Sequence, residues 1–355
     1  MKILQLAPVW ETVPPPRYGG TETVISVLTE ELVRQGHDVV LCASGDSMTS
    51  ARLFSLVPES LRVAGLTSDP VQYAAMHVAA SMSLANEFDL VHNHNGPPGD
   101  LGMAGSAMTE TPMLTTLHNL PAEDTHFIWD HYQGWYNTIS DQQTSVIDPL
   151  PKARFAGRVH NGIAVDSFPF QAQKQDYAFF MARMSPEKAP HLAIEAALAA
   201  GTRIVLAGKV STKEESEYFE AMVRPLLRLP GVEFVGEADG AHKRELYANA
   251  RVQLVPLLWE EPFGLVMIEA MACGTPVIAF NRGAASELVI SGSTGVLVED
   301  VAGMARAIDS ISSIDPHECR AHVAAQFSAQ ALAKNYLAMY EMILGEEGVP
   351  LDHVA

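Results

Sequence analysis

The feature that most constrains this chain is an alternation that runs twice along its length. Short apolar runs of strand length alternate with longer stretches of helical spacing. In the first half the strand-like runs are Lys2–Pro8, Asp38–Ala43, Phe88–His92, Pro112–Leu117, Tyr136–Ser140 and Arg158–Gly162. Between them Thr21–Gln35 places Val24, Val27, Leu28 and Leu32 at helical spacing and stops at Gly36, and Val71–Ala85 reads as a second helix. A second series starts near Tyr177. Its strands are expected at Tyr177–Ala182, Arg203–Ala207, Val232–Gly236, Arg251–Leu257, Pro276–Ala279 and Gly295–Leu297. Its helices are expected at His191–Ala200, Lys213–Leu227, Ala241–Asn249 and Leu265–Ala272, with a helical tail over Val301–Leu344. Strands buried on both faces and separated by helices mean α/β architecture with parallel sheets. Two such series joined near Asn161–Ala172 predict two Rossmann-like domains facing a central cleft, with ligands at the carboxyl ends of the strands.

The composition narrows the possible partners. At 355 residues the chain has room for two domains, and 48% hydrophobic residues suffice for two packed cores. No apolar run reaches membrane-spanning length, and Met1–Pro8 leads straight into a strand with no signal peptide. Cys42, Cys273 and Cys319 are odd in number and widely spaced, which suits reduced thiols and a cytoplasmic protein. A net charge of −19 argues against nucleic acid and against strong anionic-membrane association. From Val63 to Pro151 there is no Lys or Arg, so the first domain is poorly equipped to hold a phosphorylated acceptor.

The most informative stretch is Trp259-Glu-Glu-Pro-Phe-Gly-Leu-Val-Met-Ile-Glu-Ala-Met-Ala-Cys-Gly-Thr-Pro276. It reads as a turn and then a helix, ended by Gly274 and Pro276. Free N–H groups of Gly264 and Leu265 at the helix start would suit a phosphate. Glu261 and Glu269 lie about two helical turns apart. Carboxylates beside a phosphate make sense as acceptors for hydroxyls, from a sugar on one side and a ribose on the other.

Three further constellations follow strands. Pro14-Pro-Pro-Arg-Tyr-Gly-Gly-Thr-Glu22 joins the first strand to the first helix, and Gly19 and Gly20 are expected to allow positive φ and close backbone approach. Ala182-Arg-Met-Ser-Pro-Glu-Lys-Ala-Pro190 brings Arg183 and Lys188 to one turn, where both can reach a diphosphate. Leu114-Thr-Thr-Leu-His-Asn119 ends a strand with His118. His92 and His94 would face the same side of a strand, but no third ligand follows at a useful spacing, so no metal site is expected. The loop holding His126, Trp129, His131, Tyr132, Trp135 and Tyr136 offers aromatic planes that suit a sugar or flat acceptor, or else ordinary core packing.

Taken together these motifs resemble the retaining, family-four glycosyltransferases of the GT-B fold. Trp259–Pro276 resembles the family's long signature, Gly19-Gly20-Thr21-Glu22 its Gly-Gly-x-Glu turn, and Arg183…Lys188 its Gly-Arg-x-x-x-x-Lys-Gly loop, with Ala182 and Ala189 replacing the glycines. Asn281–Glu287 is similar to the family's Gly-Gly-x-x-Glu turn, keeping Gly283. The resemblance implies an acceptor domain over residues 1–163, a donor domain over 164–328, and a C-terminal helix over 329–355 crossing back to the first domain. It also implies that Arg183, Lys188, Glu261 and His118 carry catalysis, and that the donor meets Gly19, Gly20 and Gly236, the Phe263, Gly264, Leu265 and Val266 turn, and Glu269. His94, Trp129 and Tyr132 are the expected acceptor contacts. The implied reaction moves a hexose from a nucleotide sugar, UDP-glucose or a similar UDP-sugar, to the hydroxyl of a small neutral or saccharide-like acceptor, with no metal and no cofactor. Nothing resembles an Asp-x-Asp metal clamp. Ala7–Ser47 also resembles bacterial pterin glucosyltransferases. Alternatives left open are a GDP-mannose-dependent mannosyltransferase and a non-catalytic nucleotide-sugar-binding protein.

Overall fold

A computed structural model describes residues 1–17, 19–66, 68–95, 101–121, 126–147, 149–238 and 240–349. The chain divides into two units: residues 1–162 with 329–355, and residues 163–328. The first unit is built on seven strands: β1 (Lys2–Leu6), β2 (Asp38–Cys42), β3 (Arg52–Phe54), β4 (Leu90–Asn93), β5 (Met113–Thr116), β6 (Trp135–Thr138) and β7 (Arg154–Arg158). They lie in the order β3-β2-β1-β4-β5-β6-β7, every pair parallel. The second unit holds β8 (Ala178–Met181), β9 (Ile204–Ala207), β10 (Val232–Phe234), β11 (Val252–Val255), β12 (Val277–Phe280) and β13 (Gly295–Val298), in the order β10-β9-β8-β11-β12-β13, again all parallel.

Each order reverses direction once, at β1/β4 in the first unit and at β8/β11 in the second. A reversal leaves a crevice beyond the strand ends, because the connections on its two sides run away from each other. The strands form because both faces are covered by helices, so side chains on both faces are apolar. Ile3, Leu4 and Leu6 of β1 are fully buried, as are Phe179, Ile204, Leu254 and Ile278 in the second sheet. A buried polar side chain interrupts β1 at Gln5 and β11 at Gln253, both without exposed surface.

Two expectations are corrected and one strand was not foreseen. The last strand of the first sheet lies at Arg154–Arg158, not Arg158–Gly162. As an edge strand it carries little apolar periodicity, whereas the buried Val159 of the expected run lies just past it. The three-residue edge strand Arg52–Phe54 left no run long enough to notice. The expected helix Lys213–Leu227 breaks up. It is α-helical over Lys213–Tyr218, a π-turn over Phe219–Val223 and a 3-10 turn over Leu226–Arg228. Pro225 lacks the N–H that a continuing α-helix needs and crowds the carbonyl one turn back. Helix Leu265–Ala272 has the expected bounds. No helix among the described residues is long and apolar enough to cross a membrane.

Candidate functional site

In the second unit the informative loops gather at the β8/β11 reversal. β8 runs into Arg183–Pro190 and its neighbour β11 into Trp259–Gly264. The two loops are stitched together where Leu258 N–H donates to the Glu187 carbonyl at 2.9 Å. Lys188 Nζ pairs with a carboxylate oxygen of Glu261 and lies 4.7 Å from the Trp259 ring centroid. Trp259 Nε1 donates to the same Glu261 oxygen at 2.9 Å. Glu261 is thus held by a cation and an indole, with only 15% of its side chain exposed.

Gly264 caps the next helix at φ 96°, a conformation that favours glycine. The N–H groups of Leu265 and Val266 in the first turn are left for an incoming acceptor. One turn on, the buried Glu269 receives Lys243 Nζ at 2.8 Å. Gly283 is needed for a different reason. A Cβ there would sit 2.3 Å from the Glu261 nitrogen and 2.4 Å from its carbonyl oxygen, and φ is 56°. Its N–H donates to Glu260 at 2.7 Å, and Ala284 N–H donates to the Glu261 carbonyl at 3.0 Å. The Asn281–Glu287 turn therefore folds directly onto the Glu260–Glu261 backbone.

Arg183 donates to Glu215 at 2.5 Å and to Glu187 at 2.8 Å. Gly208 and Gly236 bring the ends of β9 and β10 together, and Gly208 lies against Ala182, the residue before Arg183. Gly208 N–H donates to the Gly236 carbonyl at 2.9 Å, and a Cβ on Gly208 would lie 1.8 Å from the Ala182 carbonyl oxygen. Phe263 is corrected from a ligand contact to a core residue. Its ring is buried 6.0 Å from that of Phe327, so only its backbone can meet a donor. The sequence reading missed Lys243, Glu187, Glu215 and Gly208. Glu215 had a visible signal, the Thr212-x-x-Glu215 capping box. Lys243 had none.

In the first unit the β1/β4 reversal collects the other motifs. Gly19 caps helix Gly20–Arg34 at φ 162°, which is extended, so the expected positive φ is absent there. Room is what demands glycine: a Cβ would sit 2.8 Å from Pro15 and 2.9 Å from a Glu22 carboxylate oxygen. Tyr18 lies outside the described residues.

His94 follows β4 and His118 follows β5. His94 Nδ1 is 3.0 Å from His118 Nε2, and His94 Nε2 is 2.7 Å from Oε1 of Gln5. The His92 ring lies against that of His94, tilted by 40° with ring centroids 3.9 Å apart. It contacts Tyr340 through Nδ1 at 2.6 Å and Thr116 through Nε2 at 2.7 Å. Burial pulls the pKa of His92 and His94 well below the usual histidine value and that of His118 down to about 4. All three are neutral at pH 7, which suits hydrogen bonding by His118 and not proton donation. Among the described residues no group of three side chains is placed to hold a metal ion.

The acceptor expectation for Trp129 and Tyr132 is overturned. Trp129 has no exposed surface, and Tyr132 is buried with its hydroxyl bonded to Thr115 and to the Trp135 carbonyl. Both fill the core beside Leu6, Val91 and Met113, because a loop packed across a parallel sheet must bury its large apolar rings. His94 is likewise buried, so it meets no acceptor directly. The His126 side chain lies outside the described residues.

Two family models match: "Glycosyl transferases group 1" over residues 166–326 and "Glycosyltransferase Family 4" over residues 18–148. The chain is 28% identical to glycogen synthase of Mycobacterium tuberculosis, covering 88% of this chain and 86% of that protein. It is 25% identical to a phosphatidyl-myo-inositol mannosyltransferase of Mycolicibacterium smegmatis, covering 92% and 91%. Among solved structures, Anabaena Alr3699/HepE in complex with UDP and glucose shares the fold at a TM-score of 0.71 with 20% identity, covering 96% of this chain and 99% of that one. With one model matching each half, and with both sheets in the Rossmann order, the chain belongs to the family-four glycosyltransferases of the GT-B fold and is an enzyme that uses nucleotide sugars.

Proposed function

We propose that this enzyme is a retaining, metal-independent hexosyltransferase that moves glucose from UDP-glucose to the hydroxyl of a small neutral, saccharide-like acceptor. The observation that carries the reading is the cluster at the β8/β11 reversal. Lys188 paired with Glu261, Lys243 paired with Glu269 and the first-turn amides after Gly264 lie together on adjoining loops and two helices. A diphosphate is a stronger partner for Lys188 and Arg183 than the carboxylates they now hold. Its arrival frees Glu261 to accept from sugar hydroxyls, while Glu269 accepts from the ribose. The two cations and the helix N-terminus then offset the charge that grows on the leaving diphosphate, the task a metal performs elsewhere. No residue is needed as nucleophile if the leaving phosphate takes the acceptor's proton on the same face. His118 serves as a hydrogen-bond partner of the donor sugar.

Support for UDP-glucose comes from Alr3699/HepE, whose structure holds UDP and glucose. GDP-mannose is the second reading, favoured by likeness to a mannosyltransferase. The acceptor reading rests on the cation-free segment from Val63 to Pro151. A flat heterocyclic acceptor loses its support, since Trp129 and Tyr132 are in the core.

Calorimetric titration with UDP, GDP, ADP and their sugar conjugates, with and without magnesium, tests the donor. Micromolar binding of UDP, unchanged by magnesium and lost in Glu269→Ala, is expected. Preference for GDP would move the reading to a mannosyltransferase, and a strict magnesium requirement would overturn the metal-free site. Transfer should vanish in Lys188→Ala and Glu261→Ala. The anomeric configuration of the product, read by NMR, tests retention.

A further inference from the structure

We infer that Gln5 is a positioning residue which, acting through His94, fixes the proton on Nε2 of His118 and leaves His118 Nδ1 as a bare hydrogen-bond acceptor for a donor-sugar hydroxyl. The inference rests on the proposed role of His118 and extends it to two buried residues that touch no substrate.

The argument starts at Gln5, the polar interruption of β1, which has no exposed surface. Its Oε1 faces His94 Nε2 at 2.7 Å. A carbonyl oxygen only accepts, so His94 Nε2 carries the hydrogen. Buried His94 is neutral, so its Nδ1 is bare and must accept. The group it faces, at 3.0 Å, is His118 Nε2, which must therefore donate. A neutral imidazole with its hydrogen on Nε2 has its lone pair on Nδ1. The chain from Gln5 to His118 thus runs in one direction, and one amide sets it.

The neighbouring imidazole is locked by separate partners. Thr116 donates to Oδ1 of Asn137 at 2.7 Å, so it accepts from His92 Nε2, and His92 Nδ1 accepts from Tyr340. Asn137 is itself held by its donation to the Thr138 carbonyl at 3.0 Å. His92 lies against His94 but shares no hydrogen bond with it, so it steadies the ring without setting its tautomer. Gln5 is set apart by its Nε2, which is buried without a hydrogen-bond partner. Leaving such a group unpaired costs on the order of 1–3 kcal/mol. An apolar residue like its strand neighbours would avoid that cost, but it would leave His94 without the acceptor that orients it.

Nitrogen-15 NMR of the imidazoles in the full chain at pH 7 tests this, with His118 assigned by comparison with His118→Gln. In the unmodified protein Nδ1 of His118 should resonate as a bare nitrogen and Nε2 as a protonated one. In Gln5→Leu the two shifts should move toward each other as the second tautomer becomes populated. Transfer by Gln5→Leu should show kcat roughly 10-fold lower, the scale seen when an outer partner of a working histidine is removed. A protonated Nδ1 on His118 in the unmodified protein would overturn the inference, whether or not Gln5→Leu folds. An unchanged spectrum in folded Gln5→Leu would do the same. If no nucleotide sugar is turned over at all, the proposed function fails and the tautomer measurement still decides the role of Gln5.

Discussion

At the scale of single residues, the site depends on positions where a side chain does not fit. Gly283 is the sharpest case, since its missing Cβ is what lets the turn lie on the Glu261 backbone. Gly283→Ala should push Glu261 away from Lys188 and add strain of order 1–3 kcal/mol. The expected result is a lower melting temperature together with a large loss of transfer; an unaltered kcat would show that this turn does not hold Glu261. Ala189 is the reverse case. It sits buried in the left-handed region at φ 49° and ψ 52°, where the family pattern has glycine. Left-handed strain of about 1–2 kcal/mol is set against about 0.5–1 kcal/mol for the extra chain entropy of a glycine and about 0.8 kcal/mol for a buried methyl. The sum is close to zero, which explains why alanine is tolerated there. The sequence shows alanine in place of glycine there but not the left-handed conformation it takes.

At the scale of elements, the short helix Lys213–Tyr218 does more than cover the sheet. Thr212 Oγ1 accepts from Glu215 N–H at 3.1 Å, and the Glu215 carboxylate accepts in return from the Thr212 N–H while its other oxygen holds Arg183. The cap therefore aims the carboxylate that aims the arginine. Thr212→Ala should cost about 1 kcal/mol of stability and weaken nucleotide binding, because Glu215 is no longer tied to the helix start. Glu215→Gln keeps the cap shape and removes the charge, so calorimetry on both variants separates the cap from the ion pair. Equal nucleotide affinity in all three proteins would remove Arg183 from the donor site. Helix Leu265–Ala272 was legible to the residue because glycines punctuate it at both ends, Gly264 at φ 96° and Gly274 at φ 77°. The segment after Tyr218 was not, because Pro225 acts on the turn before it and apolar spacing alone does not show where an α-helix gives way to a π-turn.

At the scale of the molecule, three neutral imidazoles cluster in the first unit, with His92 and His94 in its core and His118 half-buried beside them, and His92 is tied to helix Ala329–Glu346 directly by Tyr340 and through Thr116 by Tyr336. Burial holds all three below their unfolded pKa of about 6.5. The unfolded chain therefore binds more protons than the folded one below that pH. Stability from this cluster is fully present above about pH 6.5 and is lost as the pH falls toward about 4. Thermal unfolding should show a melting temperature that is flat from pH 8 to 7 and declines below 6.5. A melting temperature independent of pH between 7 and 4.5 would mean that the histidines are not buried as neutral groups.

By itself the sequence determined two parallel α/β units and which charged residues the second unit carries on its loops, because strand and helix periods and the spacing of Arg183, Lys188, Glu261 and Glu269 are local properties of the chain. Tertiary structure alone decided what those charges face. Lys243 reaches Glu269 from another helix, and Gly283 meets Glu261 across a turn. It also decided that Trp129 and Tyr132 are core, since an aromatic loop reads the same whether it packs inward or outward. The Gln5–His94–His118 chain joins strands far apart in sequence, and only parallel pairing in register places their ends side by side.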